Sequence, residues 1–198
     1  MSLQQISQDS IEAGLSAESI LSRYLPKYQW KTTCSVDAAA PLDTAYEALV
    51  NSRLENPLVT LLLRVRGLQL EDSLKGFFLK NGFVLLEEEK PGFLVVGLIS
   101  RPWCWRGDIT PVKTRDEWIN FVSSSHAKIA AVFGATRVND RKTRLFTETR
   151  VWTEKKWDRR KFSAYWLVVK PFSWLIRKLW LREAKKEAEG DLRWETGP

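Results

Sequence analysis

The last quarter of the chain constrains the fold most. From about Lys155 to Glu189 it reads as one long helix in which Phe162, Tyr165, Val169, Phe172, Ile176 and Leu179 recur at steps of three and four. That spacing draws a single apolar stripe along a rod, and so long a stripe must be laid on a comparably long apolar surface. Pro171 falls within it and is expected to kink or break the rod, since it removes a backbone donor and its ring crowds the preceding turn. The surface comes just upstream. Beyond Gly67 the period changes from helical to extended: "GFFLK", "GFVLLEEEK", "GFLVVGLIS", a segment around "ITPVK", "HAKIAAVFGATRVN" and "TRLFTETRVWTE". Turn signals at Asn81-Gly82, Lys90-Pro91-Gly92 and Asn139-Asp140 divide them into five or six antiparallel strands. "RDEWINFVSS" among them is a short helix or a loop.

Earlier, "SAESILSRYLP" is expected to form a short helix, with Ser16 as N-cap, Glu18 in its first turn and Pro26 after its end. "WKTTCSVDA" alternates, which predicts a strand from about Gln29 to Asp37. Pro41 opens a helix with Leu42, Ala45, Tyr46 and Leu49 on one face; Asn56 caps a second, with Pro57 behind it and Gly67 at its stop. The order is strand, two short helices, meander, closing helix. A meander with one face to bury and a long helix to cover it is an α+β arrangement. At 198 residues and 44% hydrophobic content, one domain buries enough apolar surface to stand alone. Residues 1–22 read as a flexible N-terminal segment and short helix, 23–189 as the domain, and 190–198 as a tail.

Several functions are not expected. No apolar run approaches the ~20 residues of a spanning helix, and "MSLQQISQDS" lacks the pattern of a secretory signal, so a cytoplasmic location is expected. Cys34 and Cys104 then read as free thiols. The single histidine, His126, leaves no basis for a Ser-His-acid site, and neither CxxC nor HExxH spacing occurs, so no metal is expected. With neither GxGxxG nor GxxxxGK, no nucleotide cofactor is expected either. The net charge of +7 is concentrated: eleven Lys or Arg stand between Lys155 and Lys186 against Asp158 and Glu183. Such a surface attracts phosphates or is simply solvated. No RRM, KH or zinc-finger signature accompanies it, and nucleic acid is not expected as a partner.

Taken in serial order, "RYLPKYQWK", "LLLRVRGL", "GLISRPWCWRG", "TRLFTETRVW" and "FSAYWLVVKPFSWLIRKLWLREAKKEAE" resemble a bacterial subgroup of the START-like, or helix-grip, superfamily. These SRPBCC proteins include polyketide cyclases and Bet v 1-like proteins, and the resemblance runs from about Arg23 to Glu189. It implies a helix-grip fold: a curved antiparallel β-sheet wrapped around a long C-terminal α-helix, two short helices after the first strand, and a deep cavity between sheet and helix. Superfamily members range from lipid carriers to cyclases, so function has to be argued from the site.

Three groups of residues are candidates for it. On a strand, "RLFTETRVW" places Phe146, Glu148, Arg150 and Trp152 on one face and Leu145, Thr147, Thr149 and Val151 on the other. If the first face lines the cavity, Glu148 is a candidate general base, with Arg150 and Tyr165 beside it; otherwise the two neutralise each other, or lie on an outer face in water, where such a pair is worth ~0–1 kcal/mol. In "RPWCWRGD", Trp103 and Trp105 share a side and can sandwich a flat ligand with Arg101 or Arg106 near an anionic group, or else simply fill the core. On the closing helix the stripe of Phe162, Tyr165, Val169, Phe172 and Ile176 forms the expected wall, and Phe162, Tyr165, Trp166 and Val169 are its candidate ligand contacts. Its opposite side carries Leu167, Trp174 and Leu181 with Arg177, Lys178, Arg182, Lys185 and Lys186, which suits an anionic membrane surface or a homodimer contact. The expected function is binding of a hydrophobic or aromatic small molecule, lipid- or polyketide-like, without a cofactor and more as a binding protein than an enzyme. The alternatives are a cyclase or dehydratase using Glu148, and a peripheral membrane or protein-interaction module.

Overall fold

A computed structural model describes residues 17–52, 57–65, 67–104, 108–122 and 125–195. Helix α1, over 17–22, is followed by β1 (Trp30–Ala38), α2 (Leu42–Asn51), α3 (Pro57–Val65) and α4 (Leu74–Lys80). Then come β2 (Val84–Glu89), β3 (Phe93–Ser100), β4 (Ile109–Thr110), α5 (Arg115–Asn120), β5 (Ala127–Asn139), β6 (Lys142–Thr153) and α6 (Lys156–Glu195). The six strands make one antiparallel sheet in the order β1-β6-β5-β3-β2, with β4 on β3. The long α6 lies against β1, β6 and α2. This is an α+β, helix-grip architecture.

One expectation changes within it and one open alternative is settled. "GFFLK" belongs to α4, not to a strand: Ser73 accepts the Gly76 N–H at 3.0 Å as a cap, and Leu74, Phe77 and Phe78 bury one helical face. Three helices rather than two therefore follow β1. "RDEWIN" is a helix, with Thr114 accepting from the Glu117 N–H while Glu117 accepts from the Lys113 N–H. Gly67 ends α3 at φ 72, where the Leu68 N–H reaches back to the Leu63 carbonyl and the Gly67 N–H to Arg64. The expected caps Ser16 and Asn56 lie outside the described residues.

Helix α6 continues through Pro171 without a break and past Glu189 to Glu195, so residues 190–195 extend the rod rather than begin a tail. Pro171 is on the exposed side, where water can serve the Leu167 carbonyl that its missing N–H leaves. At the other end α1 belongs to the body, since Ala17 and Leu21 are buried against the sheet.

The two sheet faces are covered differently. Toward α6 point Leu94, Val96, Ala131, Phe133, Ala135 and Leu145. The opposite face carries Val95, Ile99, Ala130, Val132 and Phe146, sealed by α1 and by Trp118 of α5. Here glycine makes room for rings: a Cβ on Gly97 would stand 2.7 Å from the Trp118 indole. The back of the sheet is thus solid, and open space lies on the helix side.

Candidate functional site

Between α6 and the sheet is a cavity of about 560 Å³, within the range of small-molecule sites. Residues from Phe162 to Trp180 border it, a stretch of roughly 27 Å along the helix axis at 1.5 Å per residue. Each end is walled by aromatic rings. At one, Phe162 contacts Trp30 (4.3 Å between centroids), Tyr165 (5.6 Å), Trp166 (5.7 Å) and Trp103 (6.2 Å). At the other, Trp180 stacks on Phe78 (6.0 Å), meets Phe77 edge-on (5.2 Å) and donates its Nε1 proton to Ser52 Oγ at 2.8 Å. Val169, Ser173, Ile176 and Arg177 border the middle from α6, and Leu98, Ile129, Thr149 and Val151 do so from the sheet.

The α6 wall contains Phe162, Tyr165, Trp166 and Val169 as the sequence predicts. Phe172 is exposed instead, and Ser173, Arg177 and Trp180 take part in the wall. Arg177 was expected on the outer surface; it borders the cavity. Leu181, also expected outside, is buried in the core. Trp103 packs edge-on to Phe162 beside two lining neighbours, Pro102 and Cys104, while Trp105 and Arg106 lie outside the described residues.

Strand β6 turns its other face to the cavity. Thr149 and Val151 line it, and Phe146, Glu148 and Arg150 point to the sealed back of the sheet. The pairs Glu148↔Val132 and Arg150↔Ala130 set this register. Placing Phe146, Glu148 and Arg150 in the cavity is therefore corrected, and Glu148 and Arg150 do not meet Tyr165. Period two defines two faces without saying which is inside; here the bulk of Phe146 over Gly134 and the helices beyond decide it. Nor is the pair solvated: Glu148 and Arg150 are both fully buried. Arg150 Nε donates to Glu148 Oε1 at 2.7 Å, and Lys31 Nζ lies 3.2 Å from Oε2 without hydrogen-bond alignment. The remaining guanidinium protons reach Ser22 Oγ (3.0 Å) and the Glu18 carbonyl (3.3 Å), and the Tyr28 ring lies 4.6 Å away. This network ties α1 to the sheet.

Polar groups are a minority at the cavity, among them Arg64, Ser100, Tyr165 and Ser173. Asn81 is fully engaged, bonding the backbone of Gln69 and Phe77. Thr149 Oγ1 and Arg177 Nε are buried without hydrogen-bond partners among the described residues. Burial pulls the Arg177 guanidinium down to about 10, so it is still a cation at neutral pH; nearby Cys34, whose thiol burial pushes up, stays neutral there. Both cysteines are free and half-buried. His126 stands outside the cavity, against Phe121. Among the described residues no three His, Cys, Asp or Glu side chains gather as a metal ion would need.

No protein-family profile and no curated protein matches the sequence. Among solved structures, a conserved protein from Geobacillus kaustophilus is similar over 82% of this chain and 97% of its own, at 9% identity and TM-score 0.43. The ZhuI aromatase/cyclase of Streptomyces sp. R1128 is similar over 85% and 99%, at 17% identity and TM-score 0.36. The protein XoxI from Bacillus cereus is similar over 85% and 100%, at 7% identity and TM-score 0.31. Likenesses this loose carry nothing about function.

Proposed function

We propose that this START-like chain binds an elongated hydrophobic or aromatic small molecule, lipid- or polyketide-like, between its sheet and α6. The observation that carries the reading is the cavity of about 560 Å³ with aromatic walls at both ends. Apolar space next to water stabilises whatever apolar body fills it. A ligand at a hundred times its Kd contributes about 2.7 kcal/mol, which raises Tm by roughly 5–10 °C for a chain of this length. Thermal shift against fatty acids, sterols and polycyclic aromatics checks this, and no shift with any of them counts against the reading. A cyclase reading built on Glu148, Arg150 and Tyr165 loses its base, because the first two lie behind the sheet.

A second reading is favoured by the outer side of α6. There Leu167 is 81% and Val168 64% exposed, with Phe172 and Trp174 next to them and Lys161, Lys170 and Arg182 on the surface. Among the described residues no helix is long and apolar enough to cross a membrane, but such an edge suits one lying on an anionic bilayer. Flotation with phosphatidylserine vesicles should fall several-fold in Leu167→Glu/Val168→Glu and in 0.5 M salt; flotation unaffected by either sinks this reading.

A further inference from the structure

Resting on the cavity reading above, we infer that the ligand is an amphipathic organic acid whose carboxylate is received by Arg177. The cavity wall is cationic: among its described residues Arg64 and Arg177 are basic and none is acidic. Arg177 also differs from the two buried arginines, Arg144 and Arg150. Arg150 has Glu148 and Arg144 has Asp37, each at 2.7 to 2.8 Å. Arg177 has no such pair among the described residues, and its Nε is buried without an acceptor. Cys34 is no counter-ion, being neutral at physiological pH.

A guanidinium Nε buried without an acceptor is costly, and the missing acceptor is what an acidic ligand supplies. Nε with a neighbouring N–H presents the two-pronged edge that fits a carboxylate. Ser173, one turn earlier on α6, also borders the cavity and offers a hydroxyl to the same group. The apolar body would then extend along α6 past Val169 toward the rings around Phe162.

The test compares cis-parinaric acid with its methyl ester, and 2-naphthoic acid with its methyl ester, by fluorescence titration of the full chain. The two pairs separate an aliphatic from an aromatic body, and a preference in either supports the inference. Wild type should bind the acid at least tenfold more tightly than the ester. Arg177→Met should bring the two to within a factor of two and, with no partner left orphaned, raise the Tm of the unliganded protein. Arg177→Lys, which keeps the charge and loses the fork, should show an intermediate preference, and it decides the matter should the methionine variant not fold. Equal binding of acid and ester by wild type overturns the acid inference while leaving the cavity reading standing, and an acid preference undiminished in Arg177→Met or Arg177→Lys overturns it too. Failure of all four probes to bind overturns both.

Discussion

Glu148→Gln should lower stability by about 3–5 kcal/mol, the usual cost of removing one member of a buried ion pair, and Tm by roughly 6–20 °C for a chain of this length. The carboxylate has no exposed surface and serves two cations, Arg150 and Lys31. The amide has the same shape but no charge, so it leaves one buried guanidinium and one half-buried ammonium with only the half-exposed Glu18 carboxylate, 3.9 and 3.8 Å away, to compensate them. Most of the loss should come from the Arg150 side, because that residue also holds the carbonyls of Glu18 and Leu25 and so anchors α1. Urea denaturation measures the loss, and hydrogen exchange should show α1 opening first. Ligand affinity should be unchanged, since the network is on the far side of the sheet from the cavity. A variant within 0.5 kcal/mol of wild type would mean that the network carries little of the fold.

Val169→Trp should do the reverse, removing binding by at least tenfold while leaving the fold in place. Val169 borders the middle of the cavity from α6, between the two aromatic ends. Enlarging a side chain in a well-packed core costs about 1–3 kcal/mol in strain, but here the added ring has open space to enter and displaces ligand instead of protein. Equilibrium titration with cis-parinaric acid and a urea curve on the same sample separate the two effects. Unchanged affinity would place the probe somewhere other than beneath α6.

Most of the architecture was legible because it rests on periodicity. The strand around Trp30–Ala38, the helix that starts behind Pro41 and the closing rod all follow from spacing that burial of one face enforces. The miss at "GFFLK" has a local cause. Two adjacent phenylalanines and a glycine suggest an extended segment, yet Ser73 in the cap position and apolar residues at 74, 77 and 78 have helical spacing. The site was less legible. Alternation along β6 separated Glu148 and Arg150 from Thr149 and Val151, but only contacts distant in sequence, from α1 and Trp118, settle which set faces the cavity. On α6 the cavity side is rotated from the purely apolar stripe, bringing in Ser173 and Arg177 and leaving Phe172 outside. Pattern reading puts an arginine in water because burying its charge is expensive, so a half-buried arginine at a cavity wall is the kind of residue it mislays. Its one sequence signal is weak: Arg177 sits a turn beyond Ser173 on the side shared with Val169 and Trp180.

Photolabelling with a diazirine analogue of a long-chain fatty acid, followed by peptide sequencing, tests the internal site most directly. Label should be found on Val169, Ser173, Ile176 and the facing strand residues Leu98, Ile129 and Val151, and should disappear in Val169→Trp. Label confined to Leu167, Val168 and Trp174 on the outer side of α6 would contradict it.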